Sequence, residues 1–199
     1  LSLERELARE LQAAGFLVCC VQDLRRPYDD GSESILIRYV DRQELCLPTV
    51  RAIAVMLGTS RRARGSEAAA ALLRAYWRHP EATEDHRFTV AQGIAGTATK
   101  RELPQVLEIL RDPTQGFLPR HYLAVSAVPR LMGKTALGLW RELLDDPDSN
   151  MRGEAVLRLC RLKDLASLAR MRQIAPEVEK VAMRKSVAAA LRKFEETAS

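Results

Sequence analysis

The sequence predicts an all-α protein built from about five tandem helix pairs behind an N-terminal helical cap. Three observations predict it. Arg51, Arg87, Arg120, Arg152 and Arg184 recur at intervals of 36, 33, 32 and 32 residues. Each of the last four is followed at +3, +4 and +7 by apolar or small residues, which is one face of a helix, and Arg51 is a weaker copy with Gly58 at +7. The segments ahead of the arginines are punctuated by "HPEATED", "DPTQG" and "DPDSN", each with a proline that ends one helix and a polar residue suited to cap the next. No stretch shows convincing strand alternation, and the chain is 47% hydrophobic but only 5% aromatic, a composition suited to close helix–helix contact.

Residues 1–32 lie outside the repeat. "LERELARELQAAG" reads as an amphipathic helix closed at Gly15, "FLVCCVQDL" is an apolar run too short to classify, and "RRPYDDGSES" reads as a loop. A stack of repeats leaves the apolar flank of its first unit bare, so this segment is assigned as the cap. The pairs then follow as 33–42 with 46–58, 66–78 with 84–97, 101–111 with 117–132, 134–145 with 149–162, and 164–173 with 176–195. "ESILIRYV" has the composition of a strand but occupies the first-helix position of its repeat. "SRRARGS" (60–66) is a solvated inter-repeat loop, and Gly133 is the C-cap between two pairs.

The fourth pair is the clearest. Pro147 ends what precedes it, Asp148, Ser149 and Asn150 are all good N-caps, and Ala155, Val156, Leu159 and Leu162 form the apolar stripe. By the same register Leu123, Ala124, Val187 and Leu191 are predicted to be buried, with Lys180, Lys185, Arg192 and Lys193 facing solvent at the closing end. Trp77 and Trp140 fall among core-spaced leucines of first helices and are assigned to packing. The chain is read as one domain, residues 1–199.

"LWRELLDDPDSNMRGEAVLRLCRL", with its Leu-Leu helix end, Asp-Pro turn and Arg followed by small apolar spacing, resembles the HEAT-repeat family and its bacterial HEAT-like variants. The resemblance extends over about residues 33–195. It implies a right-handed α-solenoid of antiparallel pairs, with the second helices lining a concave face that serves as a binding scaffold; it implies no activity. It also implies that a ladder arginine bonds an acidic residue in the turn of its own or a neighbouring repeat. Asp146 stands six residues before Arg152 and Glu81 six before Arg87, whereas Arg51, Arg120 and Arg184 have no acid at that offset. The ladder therefore has two readings, bracing the stack or presenting guanidinium groups to a ligand, and Arg51, Arg87, Arg120, Arg152 and Arg184 are the candidate partner-binding residues.

Other motifs reduce to structure. The Gly-Lys-Thr of "MGKTALGLW" lacks the preceding glycine and strand of a phosphate loop. "DDPDSN" starts like a calcium loop but has Met151 and Leu157 where glycine and glutamate are required. His79, His86 and His121 show no metal-ligand spacing, and no nucleophile–base pair is recognisable, so no enzyme, metal or cofactor is expected. Cys19, Cys20, Cys46 and Cys160 form no CxxC pair and, lying among apolar residues, are expected to be reduced and buried.

The net charge is +5; residues 1–99 carry 13 basic and 13 acidic side chains, and residues 100–199 carry 18 and 13. That imbalance permits an acidic partner. The leading expectation is a non-enzymatic scaffold that binds another protein on its concave face. The alternative is a nucleic-acid-binding protein similar to HEAT-like DNA-repair glycosylases, although both tryptophans lie in first helices, away from the expected concave face. Some bilin lyases carry similar repeats, but no particular residue here supports that use. The N-terminus is not a signal peptide and no apolar run approaches membrane-spanning length, so the expected location is the cytoplasm.

Overall fold

Helices are interrupted at each of the three proline-containing breaks, "HPEATED", "DPTQG" and "DPDSN". The computed structural model describes residues 2–23, 31–65, 67–79 and 81–198. Residues 25–30 of the predicted loop, Ser66 of "SRRARGS" and Pro80 of "HPEATED" lie outside the described residues. Among the described residues the structure is helical, without a strand. It forms two compact units, residues 1–127 and 128–199.

In the first unit α1 (Ser2–Ala13) ends where Gly15 turns into the left-handed region at φ 92°. There the Phe16 N–H returns to the Leu11 carbonyl at 3.0 Å, satisfying a carbonyl that the helix end would orphan. Leu3, Leu7, Ala8 and Leu11 form the buried stripe of α1, which packs on α2 (Ser32–Val40). Then come α3 (Leu47–Thr59), α4 (Ala68–Arg78), α5 (Glu84–Thr97), α6 (Leu103–Arg111) and α7 (Phe117–Tyr122), with a π-helical turn over Leu123–Ala127. Pro48 and Pro104 stand in the first turns of α3 and α6, where a missing N–H costs nothing.

The tightest contact of this unit joins two second helices, α3 and α5. A Cβ added to Gly96 would lie 1.9 Å from the Gly58 carbonyl oxygen, one on Gly93 2.7 Å from that of Ala54, and one on Gly58 2.7 Å from the Gly93 Cα. The two backbones touch, and only glycine permits it.

The second unit comprises α8 (Val128–Met132), α9 (Leu137–Glu142), α10 (Ser149–Leu162), α11 (Leu168–Ile174) and α12 (Val181–Ala198), separated by short 3₁₀ turns. Gly133 adopts φ 55° after α8, as a C-cap requires. Of the three N-cap candidates for α10, Asp148 caps it: its carboxylate accepts from the N–H groups of Asn150 and Met151. The fifth pair departs from its expected bounds. Ala175–Glu177 closes into a 3₁₀ turn around Pro176, so α12 begins at Val181 and not at 176.

The residues predicted to be buried, Leu123, Ala124, Ala155, Val156, Leu159, Val187 and Leu191, all are. Trp140 is buried too, beneath the Arg158 guanidinium 5.8 Å from its ring centre. Trp77 is not: 39% of it is exposed. Leu162 also leaves the core, at 37% exposure, because α10 ends there and Lys163 turns left-handed. The cysteines correct a larger expectation. Cys19, Cys20 and Cys46 are exposed and only Cys160 is half-buried. In the first segment Phe16, Val18 and Val21 supply the buried anchors and leave Leu17, Cys19 and Cys20 outside; Cys46 sits at the N-cap position of α3.

Candidate functional site

The N-terminal ends of consecutive second helices are joined by polar side chains, and the arginine ladder runs through these joints. Arg51 on α3 reaches Asp85 in the first turn of α5 at 2.8 Å. Arg87 on α5 donates to the Thr114 carbonyl, just ahead of α7, at 3.2 Å. In the second unit Arg152 on α10 donates through Nη2 to Glu177, ahead of α12, at 3.2 Å. Each of these arginines therefore reaches the turn or helix start of the following pair. Arg120 has no exposed surface and donates through Nε to the Leu110 carbonyl at 2.8 Å.

Acceptors in the first turns reinforce the joints. The Glu84 carboxylate, at the start of α5, accepts from the Leu118 N–H at 2.8 Å. Ser149 and Asn150, at the start of α10, accept from the N–H groups of Glu179 and Lys180 at 3.3 and 3.0 Å. Each supplies a partner for an N–H group that the start of the next helix would leave unpaired.

The acidic partners expected at the i−6 offset are not what the ladder uses. Arg152 donates through Nη1 to the main-chain carbonyls of Asp146 and Pro147 at 2.9 and 3.2 Å, while the Asp146 carboxylate accepts from the Asp148 N–H. Glu81 bonds to His79.

A shallow groove of about 290 Å³ opens along α3, α5 and α7 of the first unit. Ala54, Val55, Gly58 and Gly93 form its low walls, and Thr59, Gln92 and Tyr122 its polar rim. The Thr59 hydroxyl is used up on main-chain carbonyls of its own helix. Tyr122 is held edge-on against Phe88 with ring centres 5.6 Å apart. The Gln92 carboxamide has no hydrogen-bond partner among the described residues and is free to bond a ligand. Nothing in the sequence beyond the small residues of α3 and α5 signalled this groove.

A second concavity, of about 480 Å³, lies on first helices around Leu73, Arg74, Trp77, Arg78 and Gln105. Its arginines are engaged. Arg74 grips Asp41 in a bidentate pair at 2.8 and 3.0 Å, and this guanidinium holds the Asp41 carboxyl below the usual carboxylate range. Arg78 binds the carbonyls of Val40, Asp41 and Arg42.

The histidines are brought together only in part. His79 and His86 face each other edge-on with ring centres 6.3 Å apart, while His121 stacks on Phe117. Among the described residues no group of three or more His, Cys, Asp or Glu side chains is arranged to hold a metal ion, and no helix is long and apolar enough to cross a membrane. Comparison with protein-family models, with curated proteins and with solved structures finds no match to this chain.

Proposed function

We propose that this chain is a HEAT-like α-solenoid of five helix pairs that acts without catalysis, binding a protein partner on the face of its second helices. The observation that carries the reading is the groove along α3, α5 and α7. It lies on the helix layer that the resemblance assigns to recognition, its walls are low because most are Ala and Gly, and its rim holds the half-exposed carboxamide of Gln92. Small walls let a partner approach the backbone, and a carboxamide can both donate to and accept from a peptide group. Arg51 and Arg87 then serve to hold the helices that frame the groove, and Arg120, which is fully buried, serves the same end.

The test compares pull-downs from native lysate by the wild-type chain, by Thr59→Arg and Gln92→Arg in the groove, and by Trp77→Ala on the first helices. The reading expects a protein captured by the wild type and by Trp77→Ala, retained in high salt, and lost by the groove variants. Capture lost only in Trp77→Ala would move the interface to the first helices. Recovery of nucleic acid that salt removes would replace a protein partner with a polyanion.

A further inference from the structure

Independently of that reading, the segment between α1 and the 3₁₀ turn Val21–Asp23 holds two adjacent cysteines that face outward. A free cysteine is among the most buried residue types, yet Cys19 and Cys20 are both exposed, beside a Leu17 that is 100% exposed. Phe16, Val18 and Val21 anchor the segment by burying their side chains, and the Val18 carbonyl is pinned by the Gln12 carboxamide at 2.7 Å. The two cysteine N–H groups converge on one oxygen: Asp23 Oδ2 accepts from Cys19 at 2.7 Å and from Cys20 at 3.0 Å. The thiols are thus adjacent, open to solvent and carried on a turn that a single carboxylate closes.

We propose that Cys19 and Cys20 are a reversible thiol-modification site, at which a small-molecule disulfide is reduced and an adjacent-residue disulfide forms. The sulfur of one cysteine attacks a sulfur of the small disulfide. That S–S bond breaks, one small thiol leaves with the proton, and a mixed disulfide remains on the protein. The second cysteine then attacks the protein-side sulfur of the mixed disulfide and expels the second small thiol. The protein loses two hydrogens and the small disulfide gains them. An accessible cysteine with a resolving cysteine beside it is the arrangement such exchange needs. Ring closure between neighbouring residues twists the peptide that joins them, so the two N–H groups can no longer share Asp23 and the turn opens.

The test exposes the reduced full-length chain to oxidised glutathione and follows intact mass and peptide maps. The expected wild-type product carries a disulfide mapped to the peptide containing Cys19 and Cys20, with no glutathione on that peptide; an adduct on the exposed Cys46 is separate from the site. Cys19→Ser and Cys20→Ser should each keep a stable glutathione adduct on the remaining cysteine, while Cys46→Ser and Cys160→Ser should behave as the wild type. Amide hydrogen exchange over residues 19–23 should rise on oxidation and return on reduction. A wild-type chain that accumulates glutathione on both residues, stays unmodified, or pairs either residue with Cys46 or Cys160 would overturn the site. Unchanged exchange in the oxidised chain would overturn the opening of the turn.

Discussion

Arg184 donates through Nη1 to the main-chain carbonyl of Val178 at 3.2 Å, the same six-residue step back that joins Arg152 to Asp146. The two residues at that offset share no side-chain chemistry. Arg87, Arg120, Arg152 and Arg184 each donate to a main-chain carbonyl, whereas Arg51 pairs with the Asp85 carboxylate; the acid found six residues before Arg152 is incidental to its carbonyl bond.

Arg152→Ala is expected to cost about 1–3 kcal/mol, because it removes two carbonyl bonds from a largely buried guanidinium and leaves their acceptors short of a donor. Glu177→Gln breaks only the half-exposed ion pair of the same arginine and should cost at most about 1 kcal/mol. Arg184→Ala, with one carbonyl bond from an exposed residue, should fall near the lower figure at about 0.5–1.5 kcal/mol. Urea denaturation of the three variants ranks them. Glu177→Gln as damaging as Arg152→Ala would return the bracing role to the carboxylate.

Gly96→Ala should destabilise by about 1–3 kcal/mol or more, since the new methyl would sit 1.9 Å from the Gly58 carbonyl and must drive α3 from α5. Gly138→Ala supplies the contrast. That glycine also lies within a helix, but its added Cβ meets nothing within 4 Å, so the substitution should stabilise by about 0.5–1 kcal/mol through helix propensity alone. Thermal melts read both; a Gly96→Ala chain that melts with the wild type would mean that the helices do not touch there.

The helices were legible because their signals are local. Pro113, Asp148 and Gly133 act on their own turns, and periodicity reports which side of a helix is apolar. What escaped was whatever depends on another segment. The Glu84 bond to the Leu118 N–H and the meeting of Gly58 with Gly93 join residues more than thirty positions apart, and no spacing rule announces them. The cysteines were misplaced for a related reason: hydrophobic neighbours predict burial only when the backbone turns all of them the same way. At 16–19 the chain alternates, with Phe16 and Val18 in and Leu17 and Cys19 out, and Cys20 stays out before Val21 turns in.

Leu159 and Leu162 test the register within one helix. Leu159 is fully buried in α10, and Leu159→Ala should cost about 2–5 kcal/mol, whereas Leu162→Ala at the exposed end should stay within about 0.5 kcal/mol. Equal losses in denaturant titrations would mean that the stripe extends through the end of the helix.

His86 should make the protein less stable in mild acid. The residue is 4% exposed in the first turn of α5, and neither ring nitrogen has a hydrogen-bond partner. Burial disfavours its charged form and lowers its pKa from the ordinary 6.5; His79 and Arg51 push the same way, while Asp85 and Glu81 oppose them without prevailing. The positive end of the dipole of α5, in whose first turn His86 lies, also disfavours the imidazolium. A proton that the native state refuses is taken first by the unfolded chain. Stability from this group is therefore intact above pH 6.5, declines as pH falls below that value, and levels off once the pH is beneath the lowered folded value. Urea midpoints measured from about pH 8 down to about pH 5 should show the decline before most carboxylates titrate. His86→Leu should remove it, and His121→Leu, which changes the ring stacked on Phe117, should leave it in place. A decline that survives in His86→Leu would assign the acid sensitivity to another group.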